Sequence, residues 1–384
     1  MRDEATHRET NLILQALRAF VSPELHSLPS AVAECPDWAA VEQMATSHSV
    51  MPVVAYSVLQ HGGDAIPSEV QQRLRQRLLL ASHNNLMLIG EWCRLLEAFG
   101  NAKIPVISLK GPAVALLVYP NFALREFTDL DLMVRPEDFA GARDLLADNG
   151  YLADSPFVTH ADVTLSRCRN SQLDFVHTER NIRVDLHWGA WHAMFPFQLP
   201  VDLLFESARR EHYENIRFLA LSPETLLLYL CAHGTKHCWL SLRWLCDVAC
   251  HLQRSRGLNW ESCLHLAESS NCALVLKHSL LLAHQIFGVD LPSAVMNNCN
   301  SQRAQALART ASDLLLRQDS HISRRQALSF HLAFAEGWRN RTRLIFERLF
   351  IPDEPGPEQH LPVPLRFLGY AIKPMRLASR RFAA

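Results

Sequence analysis

Residues 106–134 of this 384-residue chain read VISLKGPAVALLVYPNFALREFTDLDLMV, and this stretch decides the predicted fold. It begins with a short apolar run that favours a β-strand, followed at once by Lys110 and Gly111. Pro112 then opens an apolar, helix-compatible segment, because proline is well tolerated at the first helical position. The resulting strand, tight turn and helix leave backbone N–H groups beside a lysine at a helix N-terminus, which suits phosphate.

The same stretch ends with two aspartates that alternate with apolar residues. Arg125 follows Lys110 by fifteen residues, and Asp129 and Asp131 lie just beyond it in TDLDLMV. Side chains alternate across a strand, so both aspartates share one face while the apolar residues share the other. Their Cα atoms would be roughly 6.5–7 Å apart, and the two carboxylates would repel each other without a cation. The pattern therefore predicts a Mg²⁺ site.

A hairpin predicted further along the chain carries the third carboxylate. The runs 172–177 and 182–188 alternate between apolar and polar residues and are separated by a polar turn. Asp185 and His187 share one face of the second run, whereas Asp174 interrupts the first. Alternation alone leaves Asp174 as an alternative third acid, with an ordinary solvent-facing strand position as its structural explanation.

Lys-Gly at a helix start, then Arg, then Asp-x-Asp on a strand resembles the nucleotidyltransferase fold typified by DNA polymerase beta. More narrowly, the chain resembles a family of bacterial proteins known only as nucleotidyltransferase family proteins. The residues that carry this resemblance are Leu109-Lys110-Gly111, Arg125, Asp129-Leu130-Asp131-Leu132, Gly150-Tyr151 and Val184-Asp185-Leu186-His187-Trp188. Most of the superfamily begins the helix with Gly-Ser, and Lys-Gly is a variant shared with the abortive-infection nucleotidyltransferases. The resemblance favours Asp185 over Asp174 as the third acid.

A second block resembles the same family and lies in a predicted helical region. It comprises HGTKHCW at 233–239 and LRWLCDV at 242–248. The resemblance implies that this region closes one side of a nucleotide site, with Lys236 and His237 meeting phosphate and with His233 and His187 meeting substrate. The histidines also fit a structural role. The nearby cysteines and histidines would allow zinc, but they lack the regular ligand spacing of structural zinc sites.

Composition limits the remaining classes of function. The chain is 48% hydrophobic with eight Trp, and its formal net charge is −1, which predicts a globular core and gives no global charge for binding nucleic acid. No apolar stretch is long enough to cross a membrane, and the N-terminus MRDEATHRET has no signal-peptide character. The ten cysteines fit reduced thiols. We therefore expect a cytoplasmic protein.

We expect an α+β fold in four parts. These are an N-terminal helical domain at 1–100, a nucleotidyltransferase α/β core with a mixed sheet at 101–220, a C-terminal helical domain at 221–318, and a basic helical tail with a Pro-rich linker at 319–384. The first part fits a packing role or contact with substrate. In the tail, from residue 320 onward, eleven Arg and Lys outnumber five acids, which fits either a solvated face or contact with an anionic surface.

The resemblance implies an enzyme that transfers a nucleoside monophosphate from an NTP, such as ATP, to a hydroxyl of a sugar, peptide or protein and releases pyrophosphate. Asp129, Asp131 and Asp185 would bind two Mg²⁺ ions, with Mn²⁺ as a substitute. Asp185 would also serve as the base or assist it.

The same resemblance assigns the phosphate contacts. Lys110 and the backbone of Gly111 would hold the triphosphate, and Arg125 would either contact phosphate or steady the acids. The alternative is a nucleotide- or partner-binding module with little or no turnover. Replacement of Gly-Ser by Lys-Gly supports the module, whereas three carboxylates in phase support the enzyme. The Gly-rich phosphate loop of other NTP-binding proteins is absent from the sequence.

Overall fold

A seven-stranded mixed sheet flanked by helices forms the centre of the protein, so the predicted α+β class is confirmed. The computed structural model describes residues 2–25, 27–35, 37–154, 171–191, 196–255, 257–317, 322–335 and 337–350. The Pro-rich linker and the final basic segment of the predicted tail lie outside these residues, so the predicted contact with an anionic surface stays a prediction.

The sheet consists of strands drawn from two hairpins and three further segments. The strands are β1 Ile107–Ser108, β2 Asp129–Met133, β3 Tyr151–Ala153, β4 Gln172–His177, β5 Arg183–His187, β6 Arg209–Tyr213 and β7 Ile216–Ala220. Their order is β3-β4-β5-β2-β1-β7-β6. The pairs β2/β5 and β1/β7 are parallel, and the other four pairs are antiparallel. The predicted hairpin at 172–188 is thus present as β4 and β5.

Helices precede, interrupt and follow the sheet. Before it come α1 Arg2–Val21, α2 Leu28–Ala33, α3 Trp38–Ser47, α4 Met51–His61 and α5 Ser68–Asn101, and between its strands lie α6 Pro112–Val118, α7 Phe139–Asp148 and α8 Val201–Ser207. After it come α9 Pro223–Lys236, α10 Leu242–Arg254, α11 Trp260–Ser269, α12 Ala273–Phe287, α13 Ser293–Cys299, α14 Gln302–Leu315, α15 Arg324–Leu332 and α16 Gly337–Phe350. Short 3₁₀ turns occupy Pro23–Leu25, Phe122–Leu124 and Pro136–Asp138. Among the helices described, none is both long and apolar enough to cross a bilayer.

The alternation read from the sequence gives the sheet two different faces. Leu130, Leu132 and Val184 enter a core that α5 and α7 cover on one side. Asp129, Asp131 and Asp185 alternate with them and therefore face the opposite side, where the C-terminal helices pack. One face of the sheet thus builds a core, and the other can build a site.

The turn between β1 and α6 requires glycine. Gly111 has φ +57°, and a Cβ there would lie 3.0 Å from the backbone oxygen of Asp129. A side chain at this position would therefore be strained and would press on β2. The Lys110-Gly111 pair is fixed by this close approach, and α6 begins at Pro112 as predicted.

The second hairpin, β6 and β7, was not predicted as such. Its strands Arg209–Tyr213 and Ile216–Ala220 are short, and the first alternates only weakly because it forms an exposed edge of the sheet. An edge strand of charged residues carries little of the apolar periodicity on which a sequence-based assignment depends.

Helix α9 approaches the following turn very closely. Ser222 caps its N-terminus by accepting a hydrogen bond from the backbone N–H of Thr225. Near its C-terminal end Gly234 faces the buried ring of Trp239. In the turn that follows the helix, Cys238 and Trp239 both have positive φ. The glycine of HGTKHCW therefore makes room for the tryptophan of the same motif.

This contact predicts a large penalty for a single methyl group. In Gly234→Ala the new Cβ would lie 2.3 Å from Trp239 Cζ3, so the ring must shift, and the free energy of unfolding should fall by about 1–3 kcal/mol. Gly90→Ala in α5 is the matched control, because a Cβ there meets nothing within 4 Å, and removing a helical glycine should stabilise by roughly 0.5–1 kcal/mol. Urea unfolding of both variants measures the difference; equal effects would contradict the packing argument.

Candidate functional site

Three carboxylates lie side by side across three neighbouring strands. The Cα of Asp185 on β5 pairs with that of Asp131 on β2 on one side and with that of Asp174 on β4 on the other. Residues directly opposite each other in a sheet point to the same face. Both acids considered for the third position therefore lie in one row with Asp131.

The central part of this row gathers atoms that could bind a metal ion. One side-chain atom each of Asp131, Asp185 and His187 lies within 4.8 Å of the others. Nε2 of His187 is 3.2 Å from Oδ1 of Asp131. These three residues form the candidate metal site of the described part of the chain.

Lys110 lies at one end of the group and determines how charge is distributed. Its Nζ is 2.8 Å from Oδ1 of Asp131, and both side chains are largely buried. Burial alone would raise the pKa of Asp131, but Lys110 and His187 outweigh it and hold the pKa below its usual range. Asp131 is consequently ionised.

Asp185 has the opposite electrostatic environment. Burial, followed by repulsion from Asp131, Asp174 and Asp129, raises its pKa to about 8. Its Oδ2 accepts a hydrogen bond of 3.2 Å from Nε2 of Gln172, whereas Oδ1 is buried and has no hydrogen-bond partner among the described atoms. A buried carboxylate oxygen without a partner is costly, and a cation would remove that cost.

Gln172 is a contributor that the sequence reading missed. Its Nε2 donates both to Oδ1 of Asp174, at 3.0 Å, and to Oδ2 of Asp185. The amide thus holds two carboxylates that would otherwise repel each other, and it orients Asp185. Its place two residues before Asp174 on the same strand face was the available signal.

The donor set fits a divalent cation. Carboxylate oxygens are the ligands of Mg²⁺ and Mn²⁺, and the imidazole of His187 widens the set toward transition metals. Asp129 lies two residues before Asp131 on the same face but is not one of the three clustered residues. Burial and Asp131 raise its pKa, while Lys110 and Arg243 oppose that rise.

Helix α9 brings cationic and aromatic side chains to the acidic row. The charge of Lys110 lowers the pKa of Lys236, His233 and His237, which means that all three lie near the site. Burial, then Lys110, lowers the pKa of Lys236 to about 8. Burial and neighbouring cations lower the pKa of both histidines well below the ordinary value, so they are neutral.

The two histidines form part of a row of rings. Tyr229 and His233 stack with centroids 6.2 Å apart, His233 and His237 are 4.6 Å apart, and His237 stacks on Trp244 at 4.8 Å. Tyr229 and His233 lie four residues apart on one face of α9, and His237 is the residue that caps the C-terminus of the helix. This row of rings lies beside Lys236 and adds Tyr229 and Trp244 to the residues predicted from sequence.

Arg125 does not point its guanidinium freely into the site. Nε and Nη2 donate to the two carboxylate oxygens of Asp247 on α10, both at 2.9 Å, and Tyr119 donates to the same carboxylate at 2.8 Å. Nη1 lies 3.4 Å from the backbone oxygen of Gly111. Of the two roles considered for Arg125, these contacts favour steadying the site, by tying the Lys110-Gly111 turn to α10.

The alternative of zinc at the HGTKHCW block finds no support in the described residues. There the grouping of ligand atoms contains only Asp131, Asp185 and His187. The cysteines of α9 and α10 are buried, and burial raises the pKa of thiols such as Cys231 and Cys250. They behave as small apolar residues.

Comparison with known proteins identifies the family. Residues 34–288 match a protein family described as an uncharacterised nucleotidyltransferase. Neither the curated proteins nor the solved structures include a match to this chain. The matched segment spans well over half of the chain and contains the strands, the acidic row and helices α9 and α10. The chain therefore belongs to this family of uncharacterised nucleotidyltransferases.

Proposed function

We propose that this protein is a metal-dependent enzyme that transfers a nucleoside monophosphate from an NTP to a hydroxyl acceptor and releases pyrophosphate. The observation that carries the proposal is the cluster of Asp131, Asp185 and His187 on one sheet face, with the partnerless oxygen of Asp185 among its atoms. A lysine lies beside it, as a reaction of anionic phosphates requires. We also propose that the sheet and its helices form a nucleotidyltransferase core similar to that of DNA polymerase beta.

The acids have distinct roles in this proposal. Asp131 and Asp185 would hold Mg²⁺, His187 would either join them or contact substrate, and Asp129 would contribute to a second ion. Divalent ions at such a site neutralise phosphate charge and lower the pKa of an attacking hydroxyl. Asp174 binds no ion in this proposal; Gln172 holds it beside Asp185, whose pKa its charge helps to raise.

The cationic residues hold the nucleotide. Lys110, which contacts Asp131, would bind the triphosphate together with the backbone of Gly111. Lys236 and His237 approach the phosphates from α9, and His233 borders the substrate. Arg125 keeps these two sides together through Asp247.

The reaction conserves atoms and charge within these groups. The acceptor oxygen forms a bond to the α-phosphorus, and the bond from that phosphorus to the bridging oxygen of the β-phosphate breaks. Pyrophosphate leaves with the electron pair. The hydroxyl proton passes to the Asp185 carboxylate, which serves as the base or assists it.

Replacing individual acids tests this arrangement. Asp131→Asn and Asp185→Asn should abolish the rise in melting temperature that Mg²⁺ and NTP give the wild type, and should reduce Mg²⁺-dependent pyrophosphate release by roughly 10²–10⁴-fold. Asp174→Asn should keep most of the shift, which separates it from Asp185. Asp144→Asn, on the exposed side of α7, is the control.

Thermal melts with and without ligand, run beside a pyrophosphate assay, provide both readouts. If Asp131→Asn and Asp185→Asn keep the wild-type shift, the metal site is wrong. If the shift is lost but the wild type shows no turnover with any acceptor tried, the nucleotide-binding module becomes the better account.

A separate prediction concerns Lys110. Lys110→Met should weaken Mg·NTP binding by about 1–3 kcal/mol, because a charge-assisted contact to phosphate is lost. Lys277→Met on α12 removes an equal charge away from the acidic row and should leave the affinity unchanged. Calorimetric titration measures both, and an unchanged affinity in Lys110→Met would remove this residue from the site.

Another prediction uses the dependence of stability on pH in the absence of metal. A carboxyl whose folded pKa is raised contributes stability below its unfolded pKa near 4 and loses it as pH rises toward the folded pKa of about 8. Asp185→Asn should therefore be near neutral at pH 5 and more stable than wild type at pH 9, by roughly 1–3 kcal/mol. Urea unfolding with a chelator present measures this; an Asn variant that is equally stable relative to wild type at both pH values would contradict the assignment.

A further inference from the structure

Arg243, at the start of α10, is a cation near the site that no role yet uses. Its Nη1 donates to the backbone oxygen of Glu126 at 3.2 Å. Its Nε is buried and has no hydrogen-bond partner among the described atoms. The guanidinium makes no ion pair within 4.0 Å in the described residues, so most of its donors remain available.

The position of Arg243 follows from its electrostatic neighbours. Its positive charge lowers the pKa of Asp129 and Glu126 on one side and of His233 and His237 on the other. The guanidinium therefore lies between the approach to β2 and the ring-bearing face of α9. Lys110 influences the same two histidines, so both cations border one space.

The backbone of Arg243 is held in place by the N-terminal helices. Its N–H donates to the backbone oxygen of His48 at 3.3 Å, and the hydroxyl of Ser241 donates to the same oxygen at 2.7 Å. Ser241 also caps α10. Together with the hydrogen bond from Nη1 to Glu126, these contacts restrict the arginine and so lower the loss of conformational freedom on binding.

Lys236 completes the pair from α9. Its ammonium has no ion pair among the described residues, although it is largely enclosed and lies within reach of the fields of Lys110, Asp131 and Asp185. Lys236 thus lies beside Asp131, Asp185 and Asp174, and Arg243 lies beside Asp129, so the two cations border the acids from different directions. Two cations without anionic partners beside a row of acids are complementary to a multiply charged anion that metal would bridge to those acids.

We propose that Arg243 and Lys236 form the subsite that holds the terminal phosphates of the nucleotide and the pyrophosphate released from it. This inference rests on the proposed function and adds a direction to it. The α-phosphorus lies toward Asp131 and Asp185, and the terminal phosphates lie beside His233 and His237, which both cations approach.

Calorimetric titration of the full chain with inorganic tripolyphosphate and Mg²⁺ tests the subsite without any nucleoside. Arg243→Gln should weaken tripolyphosphate binding by roughly tenfold or more, and Arg243→Lys should fall between it and wild type, since charge is kept but the planar fork is lost. Arg254→Gln is the matched control: it lies on the same helix and also donates Nη1 to a backbone oxygen, that of Tyr119 at 3.3 Å. Its affinity should stay within about twofold of wild type.

The outcomes separate this subsite from the proposed function. Unchanged tripolyphosphate affinity in Arg243→Gln, or an equal loss of affinity in Arg254→Gln, overturns the subsite. In either case the proposed function still stands if the wild type binds NTP in a Mg²⁺-dependent manner. A wild type that binds NTP but not tripolyphosphate overturns the subsite as well. A wild type that binds neither removes both proposals. If Arg243→Gln melts early, Arg243→Lys decides: wild-type affinity in that variant contradicts the need for a guanidinium.

Discussion

The pairing register of β2, β4 and β5 is the constraint on which the site depends. It sets Asp131, Asp185 and Asp174 in one row, and three like charges in a partly buried row cannot all ionise without compensation. Lys110 neutralises the charge of Asp131, and Gln172 donates hydrogen bonds to both Asp174 and Asp185. Burial, together with the repulsion that remains, raises the pKa of Asp185. A shift of one residue in this register would turn the acids into the core. The same register that folds the sheet therefore builds the site.

Around this row, the helices make the two halves of the chain interdependent. One apolar cluster contains side chains of α1 and α4 together with side chains of α9 and α12, and Arg18 donates to the backbone oxygen of Ile286 at 2.8 Å. The Arg125–Asp247 pair does the same at the site itself, because it joins the turn before α6 to α10. Removing one partner of a buried pair leaves an uncompensated charge, which typically costs about 3–5 kcal/mol. The predicted division into four domains stays a prediction, but the contacts show how closely the helical segments share one core.

The parts of the structure that follow from local pattern were predictable from sequence. Strand β2, the start of α6 at Pro112 and the β4/β5 hairpin each depend on alternation or on a residue with a fixed backbone preference. The missed parts depend on contacts between distant segments. Nothing near Arg125 in sequence indicates Asp247 as its partner, and nothing near Arg243 indicates Glu126. Gln172 is an intermediate case. Its strand face could be predicted from the alternation, but its hydrogen bond to Asp185 depends on the pairing register of β4 and β5.

The lysine that precedes Gly111 has a physical consequence for the proposed binding of metal and nucleotide. Because lysine precedes the glycine, Nζ of Lys110 lies 2.8 Å from Oδ1 of Asp131. The negative charge of the acids is therefore partly neutralised before metal or nucleotide binds. In the proposed site, metal would compete with Lys110 for Asp131, and Asp185 would lose a proton on binding it. Both steps become easier when a triphosphate is present to accept the displaced ammonium, because the lysine then exchanges one anion for another. Metal and NTP should therefore bind cooperatively, each increasing the affinity for the other by the same factor.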